Sequence, residues 1–411
     1  MARVILHSDM NSFYASVEIM LHPELRGKAV AVCGTEKDRH GIVLAKSDAA
    51  KKAGVKTGMS NYEAKALCPS LILRAPDYDQ YLKFSRAARE IYGRYTDYIE
   101  PFGMDECWLD VTGSTAFGTG PEIAEKIRTR IRTELGLTVS IGVSWNKIFA
   151  KLGSDMKKPD AVTVITRENF RTKVWPLPVS DLLYAGPATT AKLARVGIRT
   201  IGDLALADDL LLKKMLGVNG LKLLSYARGT DESRVMHKSV VIPPKSIGHG
   251  VTCLRDLVTP SEVHRVILAL CQEIGRRLRE ESCLACSLSL VLRCRDLSFT
   301  GAQGKFLQPT RSPAVCADTA FLIFLNTFSG IGPVRQVTVT VRDLISENEA
   351  VQPHLFLDQD YLERLDRAET CVEEVRSRFG KNALIPASLL LEDAIPHDGR
   401  DLVKMPSPMY V

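Results

Sequence analysis

The chain lacks any hydrophobic run long enough to cross a lipid bilayer, although 45% of its 411 residues are hydrophobic. A membrane-spanning helix needs about 20 consecutive apolar residues, so the sequence predicts no membrane segment. Arg3, His7 and Asp9 interrupt the first apolar run too early for a secretory signal peptide. We therefore expect a cytoplasmic protein that does not associate with membranes.

The chain also lacks the repeating cysteine framework of a disulfide-rich secreted protein, because its 10 cysteines are scattered. Cys283 and Cys286 have the spacing of a zinc knuckle, but no second pair of Cys or His completes a ligand set. Both lie in a strand-like segment, so we expect reduced thiols packed in the protein.

A strong excess of charge of one sign is absent from the chain as a whole, which has a net charge of +6. The charge is unevenly distributed. Residues 347–411 contain 7 Lys and Arg against 13 Asp and Glu, a net of −6, which leaves +12 on residues 1–346. A basic body suits a polyanionic partner such as nucleic acid, and the acidic tail suits a different role.

Three carboxylates in two separated segments give the clearest sign of chemistry. Asp9 ends a strand-like apolar run, and Asp105 and Glu106 are adjacent much later in the chain. Because successive side chains of a strand face opposite sides, a convergent Asp-Glu pair indicates a strand end or a hairpin. Three convergent carboxylates suit Mg²⁺ better than zinc, and two such ions can clamp both oxygens of a phosphoryl transfer. The alternative is that these acids are ordinary solvated side chains.

Three segments of the chain resemble the motifs of Y-family DNA polymerases. They read HSDMNSFYASVE at 7–18, MDECWLD at 104–110, and SIGVSWNKIFAKL at 140–152 followed by DMKKP at 155–159. They occur in the family's order and spacing, and the resemblance extends through most of the chain. Within that family, the chain resembles the bacterial translesion enzymes of the DinB type.

This resemblance implies a template-directed, error-prone DNA polymerase without proofreading, which extends a primer 3′-hydroxyl with dNTPs past damaged bases. It assigns Asp9, Asp105 and Glu106 as ligands of two Mg²⁺ ions, with the Met10 carbonyl assisting, and it makes Asp105 and Glu106 catalytic. The implied partners are primer–template DNA and dNTP. We expect the protein to act as a monomer.

The resemblance also implies contacts with the incoming nucleotide. Lys158 matches the lysine that contacts the triphosphate, and Phe13 and Tyr14 match the two aromatic residues beside the sugar. Tyr14 would be the steric gate, because its ring would occupy the space that a ribose 2′-hydroxyl needs. The alternative is that both rings are core residues.

One fingers-helix motif departs from the family pattern. The family has SYEARKFGV where residues 47–55 read SDAAKKAGV, so a tyrosine position is Asp48 and an arginine position is Lys51. Lys51 keeps the charge but not the bidentate fork of arginine, and we expect it to contact phosphate. The resemblance assigns no role to Asp48. The two lie three residues apart on one helix face, where they can pair.

Pattern and resemblance together predict an α+β multidomain, right-hand polymerase. Strands alternate with helices over the first 165 residues, which favours a sheet with helices packed on it, and a β-α-β-β-α-β order follows residue 245. The predicted domains are a ferredoxin-like palm (1–19 and 77–166), small fingers (20–76), a helical thumb with a helix-hairpin-helix (167–237), a linker (238–245), a little finger (246–345) and an acidic tail (346–411).

The thumb contains a segment that resembles a helix-hairpin-helix. Gly186 would let the backbone approach a DNA phosphate, Pro187 would begin the second helix, and Lys192 would contact DNA. Tyr184 stands where such motifs usually have glycine. The alternative is a plain helical connector.

The acidic tail contains QPHLF at 352–356, which resembles the peptide that docks bacterial polymerases to the sliding clamp (β subunit). Leu355 and Phe356 would be adjacent anchors for a hydrophobic pocket, oriented by Gln352. The alternative is a loop packed on the protein's own surface.

Two other functional classes stay open at this point. One is a non-catalytic DNA- or clamp-binding homologue that kept the fold, and the complete carboxylate trio argues against it. The other is a nucleotidyl cyclase, which shares a palm-like sheet and two-metal chemistry, but the thumb and the clamp peptide would have no purpose there. Templated primer extension with Mg²⁺ separates all three.

Overall fold

The computed structural model describes residues 3–34, 41–328, 330, 332–390 and 394–395. Contacts divide the chain into two compact units, of which the first includes residues 3–33 and 42–242 and the second includes residues 243–328 and 332–390. None of the described helices is long and apolar enough to span a membrane.

The first unit contains two sheets and a series of helices. Its strands are β1 (Ile5–Met10), β2 (Val30–Cys33), β3 (Val43–Lys46), β4 (Ile72–Arg74), β5 (Ile99–Pro101), β6 (Glu106–Asp110), β7 (Val139–Ser144) and β8 (Val162–Val164). Its helices are α1 (Phe13–Leu21), α2 (Asp48–Lys52), α3 (Asn61–Leu67), α4 (Tyr78–Tyr92), α5 (Gly120–Leu135), α6 (Lys147–Met156), α7 (Phe170–Lys173), α8 (Pro187–Ala194), α9 (Ile201–Leu206), α10 (Asp209–Leu216) and α11 (Val218–Arg228).

The larger sheet has the order β5-β6-β1-β7-β8, with β1 at its centre and antiparallel to both neighbours. All of β1 is buried, because helices cover both faces of the sheet. Ile5 packs with Trp108 and Ala150 on the face covered by α6. Leu6 points to the other face, where it joins the core formed with α4 and α5. The helices on both faces of the sheet hold the polar end of β1 in a fixed position.

Helix α6 lies unusually close to strand β7. A Cβ atom placed on Gly142 would lie 1.9 Å from the carbonyl oxygen of Ala150, so only glycine permits this approach. The close packing brings Lys151, the next residue of α6, over the end of β1.

The smaller sheet, in the order β3-β2-β4, forms its own core with α2 and α3. Helix α2 begins after Ser47, whose hydroxyl accepts a hydrogen bond from the Ala50 N–H at 3.3 Å, the usual way of satisfying a free N–H at a helix start. Helices α7–α11 pack around a separate apolar cluster that includes Leu193, Leu204 and Leu223. The segment predicted to be helical, residues 167–237, therefore contains helices and no described strand.

The second unit is built on an antiparallel sheet. Its elements are β9 (Ser246–Leu257), α12 (Pro260–Glu280), β10 (Cys283–Cys294), β11 (Phe299–Thr310), α13 (Pro313–Thr327), β12 (Val334–Ser346) and α14 (Gln359–Phe379). The strands lie in the order β11-β10-β12-β9. The predicted β-α-β-β-α-β order is therefore confirmed, and α14 is an addition that packs on this module.

Helix α4 ends at Tyr92. Gly93 caps it, and the chain then forms the short strand β5, in which Glu100 pairs with Trp108 of β6. A three-residue strand contains too few residues for alternation to reveal it. For the same reason β4 and the short helix α3 were not predicted.

Candidate active site

The two carboxylate segments meet where β1 and β6 lie side by side. Asp9 on β1 and Glu106 at the start of β6 are direct cross-strand partners. Asp105 lies immediately before β6, and its carbonyl oxygen accepts a hydrogen bond from the Met10 N–H at 2.9 Å. The Asp-Glu pair therefore lies at a strand end, as predicted, and the three acids converge.

Two ammonium groups contact these acids. Lys151 Nζ lies 3.1 Å from Asp9 Oδ2 and 3.0 Å from Glu106 Oε2, and Lys158 Nζ lies 2.7 Å from Asp9 Oδ2. Asp155 contacts both, at 3.0 Å from Lys151 and 2.9 Å from Lys158. Lys158 was predicted, whereas Lys151 and Asp155 were not assigned a role. Lys151 and Asp155 lie four residues apart in α6, within the segment that resembles a family motif, and this spacing could have indicated that they pair.

The carboxyl groups have opposite pKa shifts. Burial raises the pKa of Asp105 to about 7, and the negative charges of Glu106 and Asp9 act in the same direction. Burial also raises the pKa of Asp9, although Lys151 opposes the shift. Burial alone would raise the pKa of Glu106, but contacts with His7 and Lys151 lower it to about 2. Strong shifts caused by burial and by specific charges are typical of functional sites.

His7 of β1 forms a second layer behind Glu106. Its buried ring has Nε2 3.2 Å from Glu106 Oε2 and Nδ1 2.9 Å from Ser154 Oγ. The Ser154 hydroxyl in turn donates to the Lys151 carbonyl at 2.7 Å. Burial lowers the pKa of His7, although the contact with Glu106 opposes this shift. His7 and Lys151 together lower the pKa of Glu106.

The loop that carries Lys158 is fastened to β1 and α5. The Asp160 N–H donates to Asn11 Oδ1 at 2.8 Å, and the Asp160 carboxylate pairs with Arg128 at 2.9 Å and with Arg132. Asp160 has a left-handed backbone, with φ of 56°, a conformation that Asp adopts more readily than most residues. These contacts hold Lys158 against the carboxylates.

The donor chemistry of the site fits a hard divalent cation, since Asp9, Asp105 and Glu106 supply carboxylate oxygens. Among the described residues, no group of three or more His, Cys, Asp or Glu side chains is arranged to hold a metal ion as it stands. The Lys151 ammonium instead contacts both Asp9 and Glu106. Glu106 Oε2 is buried and its contacts lack hydrogen-bond geometry. A cation therefore fits once Lys151 gives up these contacts.

Tyr14 and Phe13 are adjacent on α1 but have different surroundings. Phe13 is only 3% exposed and packs in the core. Tyr14 is half-buried and stacks on Tyr81 at 4.3 Å between ring centroids, with its hydroxyl 3.5 Å from Met104 Sδ. Burial raises the pKa of Tyr14 to about 12, and the charge of Asp105 adds to the shift. Tyr14 thus lies beside the carboxylates with part of its ring open, and Phe13 supports it from the core.

Asp48 and Lys51 both lie exposed on α2. Within the described part of the chain they form no ion pair with each other, and both side chains are exposed to solvent. Burial lowers the pKa of Lys46, and the positive charge of Lys51 acts in the same direction. An anion bound near these two lysines would relieve their mutual repulsion.

Gly186 is the N-cap of α8, and Pro187 is its first residue. A Cβ placed on Gly186 would meet none of the described atoms within 4 Å beyond its chain neighbours, so a ligand can approach this backbone. Tyr184 has φ of 67°, the left-handed conformation that usually selects glycine. Lys192 is exposed in the last turn of α8.

In the second unit, the face of the sheet opposite the helices is polar and basic. This surface was not predicted from the sequence. Ser287 and Ser289 of β10 stand beside Arg342 and Thr340 of β12, and Arg293 continues the row. The available signal was the alternation of these residues with the buried leucines of β10. Such a surface fits a phosphate backbone better than an apolar ligand.

The peptide at 352–356 leaves its apolar side chains uncovered. Leu355 is 88% exposed and Phe356 is 86% exposed, and Gln352 is exposed as well. Two adjacent large apolar side chains in solvent are typical of a binding site rather than of a loop packed on its own protein.

Comparisons with known proteins agree with this geometry. Residues 8–155 match the impB/mucB/samB family, and residues 244–355 match the C-terminal domain of the same family. A DNA polymerase IV of Acetivibrio thermocellus is 47% identical over 394 residues, which are 96% of this chain and 98% of the relative. A DNA polymerase IV 1 of Bacillus subtilis is 37% identical over 95% of this chain and 94% of the relative.

A solved Y-family DNA polymerase chimera superposes with a TM-score of 0.73 at 26% sequence identity, covering 84% of this chain and 99% of the chimera. The similarity therefore extends over both the catalytic and the C-terminal parts. Together with the convergent carboxylates, these matches establish that the chain belongs to the impB/mucB/samB family of Y-family DNA polymerases.

Proposed function

We propose that Asp9, Asp105 and Glu106, with the Met10 carbonyl, hold two Mg²⁺ ions, and that this site adds dNTPs to a primer 3′-hydroxyl. The observation that carries the proposal is the cross-strand pair of Asp9 and Glu106 with Asp105 at the adjoining strand end. When bound, the ions would stabilise negative charge on the attacking and leaving oxygens. The chain is a translesion DNA polymerase, and its products are an extended primer and pyrophosphate.

Each neighbouring side chain has a task in this reaction. Lys158 binds the triphosphate, and the loop anchored by Asp160 holds it in place. Lys151 offsets the negative charge of Asp9 and Glu106 until the ions bind. Tyr14 closes the space beside the sugar and excludes a 2′-hydroxyl, while Lys51 contributes a second cation for the phosphates.

DNA binding is proposed for two surfaces. Gly186 lets a phosphate approach the N-terminal end of α8, and Lys192 adds a positive charge on the same helix. The polar sheet face that includes Arg293 and Arg342 contacts the sugar–phosphate backbone. Neither surface reads base identity, which suits an enzyme that must accept any template.

The exposed peptide with Gln352, Leu355 and Phe356 is proposed to dock on the sliding clamp. Burial of the two apolar side chains contributes roughly 3–6 kcal/mol before ordering costs, which is enough to decide a weak peptide interaction. Changing Leu355 and Phe356 to Ala should spare synthesis by the enzyme alone and remove stimulation by the clamp. Unchanged clamp affinity in this variant would locate the contact elsewhere.

Primer extension tests the catalytic proposal directly. With a primed template, Mg²⁺ and four dNTPs, we expect templated extension on intact DNA and across a damaged base. DNA binding without any extension would favour the non-catalytic alternative. Template-independent formation of a cyclic nucleotide would favour a cyclase.

A further inference from the structure

The backbone around Leu355 and Phe356 is fastened to the second unit by two glutamines. Gln308 on β11 and Gln359 at the start of α14 form a reciprocal amide pair, with Gln308 Nε2 donating at 3.2 Å and Gln359 Nε2 donating at 3.1 Å. The Gln308 oxygen also accepts from the His354 N–H at 3.1 Å.

Gln359 binds the other side of the same turn. Its Nε2 donates to the carbonyl of Leu357 at 3.3 Å and, more weakly, to that of His354 at 3.4 Å. Within the turn, the Leu357 N–H donates to the His354 carbonyl at 3.1 Å, and the Phe356 N–H donates to His354 Nδ1 at 3.3 Å. The backbone before and after the two apolar residues is thereby held, while their side chains point away from the protein.

Gln359 is itself fixed, because α14 is docked on the helices of the module. Asp366 pairs with Arg311 at 2.9 Å and with Arg279 at 3.3 Å. Glu369 pairs with Arg279 at 3.0 Å and accepts from the Ser312 hydroxyl at 2.8 Å. Helix α14 therefore holds Gln359 against the turn, as β11 holds Gln308.

We propose that the Gln308–Gln359 pair preorganises residues 354–357, so that Leu355 and Phe356 are presented together to a hydrophobic pocket on the partner. This inference rests on the proposed clamp docking. A free tail would have to lose its conformational freedom on binding, whereas a turn that is already held avoids part of that loss. The apparent dissociation constant rises in proportion as the binding-competent fraction falls.

The variants Gln308→Ala and Gln359→Ala test the proposal. Their affinity for the purified sliding clamp is measured without DNA, by isothermal titration calorimetry or surface plasmon resonance. If loss of the pair reduces the competent fraction to about a tenth, the dissociation constant rises about tenfold. The double variant should bind the clamp about as weakly as either single variant, because both glutamines act in the same contact.

Gln303→Ala is the matched control, since Gln303 is exposed on the same strand β11 and lies outside this hydrogen-bond set. It should leave clamp affinity unchanged. Extension rates without clamp should be unchanged in Gln308→Ala and Gln359→Ala. A synthetic peptide of residues 350–358 should bind more weakly than the full chain, because it lacks the support.

The docking peptide and its preorganisation can be tested separately. If Leu355→Ala with Phe356→Ala leaves clamp affinity unchanged, the proposed docking peptide is wrong. If that variant loses binding while Gln308→Ala and Gln359→Ala bind like the unaltered protein, the peptide is right and its preorganisation is refuted. A free peptide that binds as tightly as the full chain would refute it as well.

Discussion

Replacing Asp105 by Asn should stabilise the protein in metal-free buffer at pH 8. Burial and the neighbouring acids raise the pKa of Asp105 from 3.8 to about 7, so the folded protein favours the neutral carboxyl. Between pH 3.8 and about pH 7, Asp105 keeps its proton in the folded chain and loses it in the unfolded chain. The free energy of unfolding therefore falls as the pH rises through this window, and the whole penalty is present above it. Asparagine is neutral throughout and removes the penalty.

The size of the effect follows from the shift. A difference of about three pKa units corresponds to about 4 kcal/mol, which is an upper limit because the Asp105 side chain is only partly buried and water screens its charge. We expect Asp105→Asn to gain about 1–2 kcal/mol at pH 8 and almost nothing near pH 4. Mg²⁺ should then stabilise the unaltered protein more than the variant.

Urea unfolding in the presence of a chelator, at both pH values, measures the effect. The 3 tryptophans of the chain, Trp108, Trp145 and Trp175, all lie in the first unit, so their fluorescence reports on the unit that contains the site. Glu90→Gln is the control, because Glu90 is an exposed carboxylate of the same unit. Equal or lower stability of Asp105→Asn at pH 8 would refute the claim that this carboxylate is buried at a cost.

Three further predictions concern the nucleotide. Tyr14→Ala should raise the ratio of kcat/KM for ribonucleotide over deoxyribonucleotide at least about tenfold, and an unchanged ratio would make Tyr14 a structural residue only. Asp160→Ala should raise the KM for dNTP about fivefold with a smaller change in kcat, since Lys158 loses its anchor; a change confined to thermal stability would contradict this. Asp48→Tyr with Lys51→Arg should lower the KM for dNTP about fivefold, by about 1 kcal/mol, through a bidentate phosphate contact and the loss of a nearby negative charge. Steady-state insertion opposite an undamaged template measures this last change, and a higher or unchanged KM would mean that Lys51 does not contact the triphosphate.

The sequence could predict the carboxylate site because its chemistry is local. Asp9 lies near the end of a buried strand, and the adjacent pair of Asp105 and Glu106 can converge at a strand end or a hairpin, so the residue types and their positions limit the geometry. Lys151 could not be predicted in the same way. Its role depends on Gly142, which lets α6 approach the sheet, and this contact joins segments that the sequence does not link.

The secondary structure likewise includes elements that the sequence can predict and elements that it cannot. Long periodic elements such as α12 and β10 were predictable, because their apolar residues repeat over many positions. The strand β5 is too short to carry such a pattern. The support of the turn at 354–357 was also not predictable, since Gln308 and Gln359 are distant in sequence and their amides carry no pattern of charge or periodicity.

Single-nucleotide insertion by Asp105→Ala and Glu106→Ala, with Glu90→Gln as control, tests the central claim most directly. Each variant should lose at least about a thousandfold in insertion rate with Mg²⁺, because the site loses a ligand that charge stabilisation requires. Affinity for primer–template DNA should stay within about twofold, since the proposed DNA surfaces lie elsewhere. Insertion at the unaltered rate in either variant would contradict the assignment of these carboxylates as the catalytic metal site.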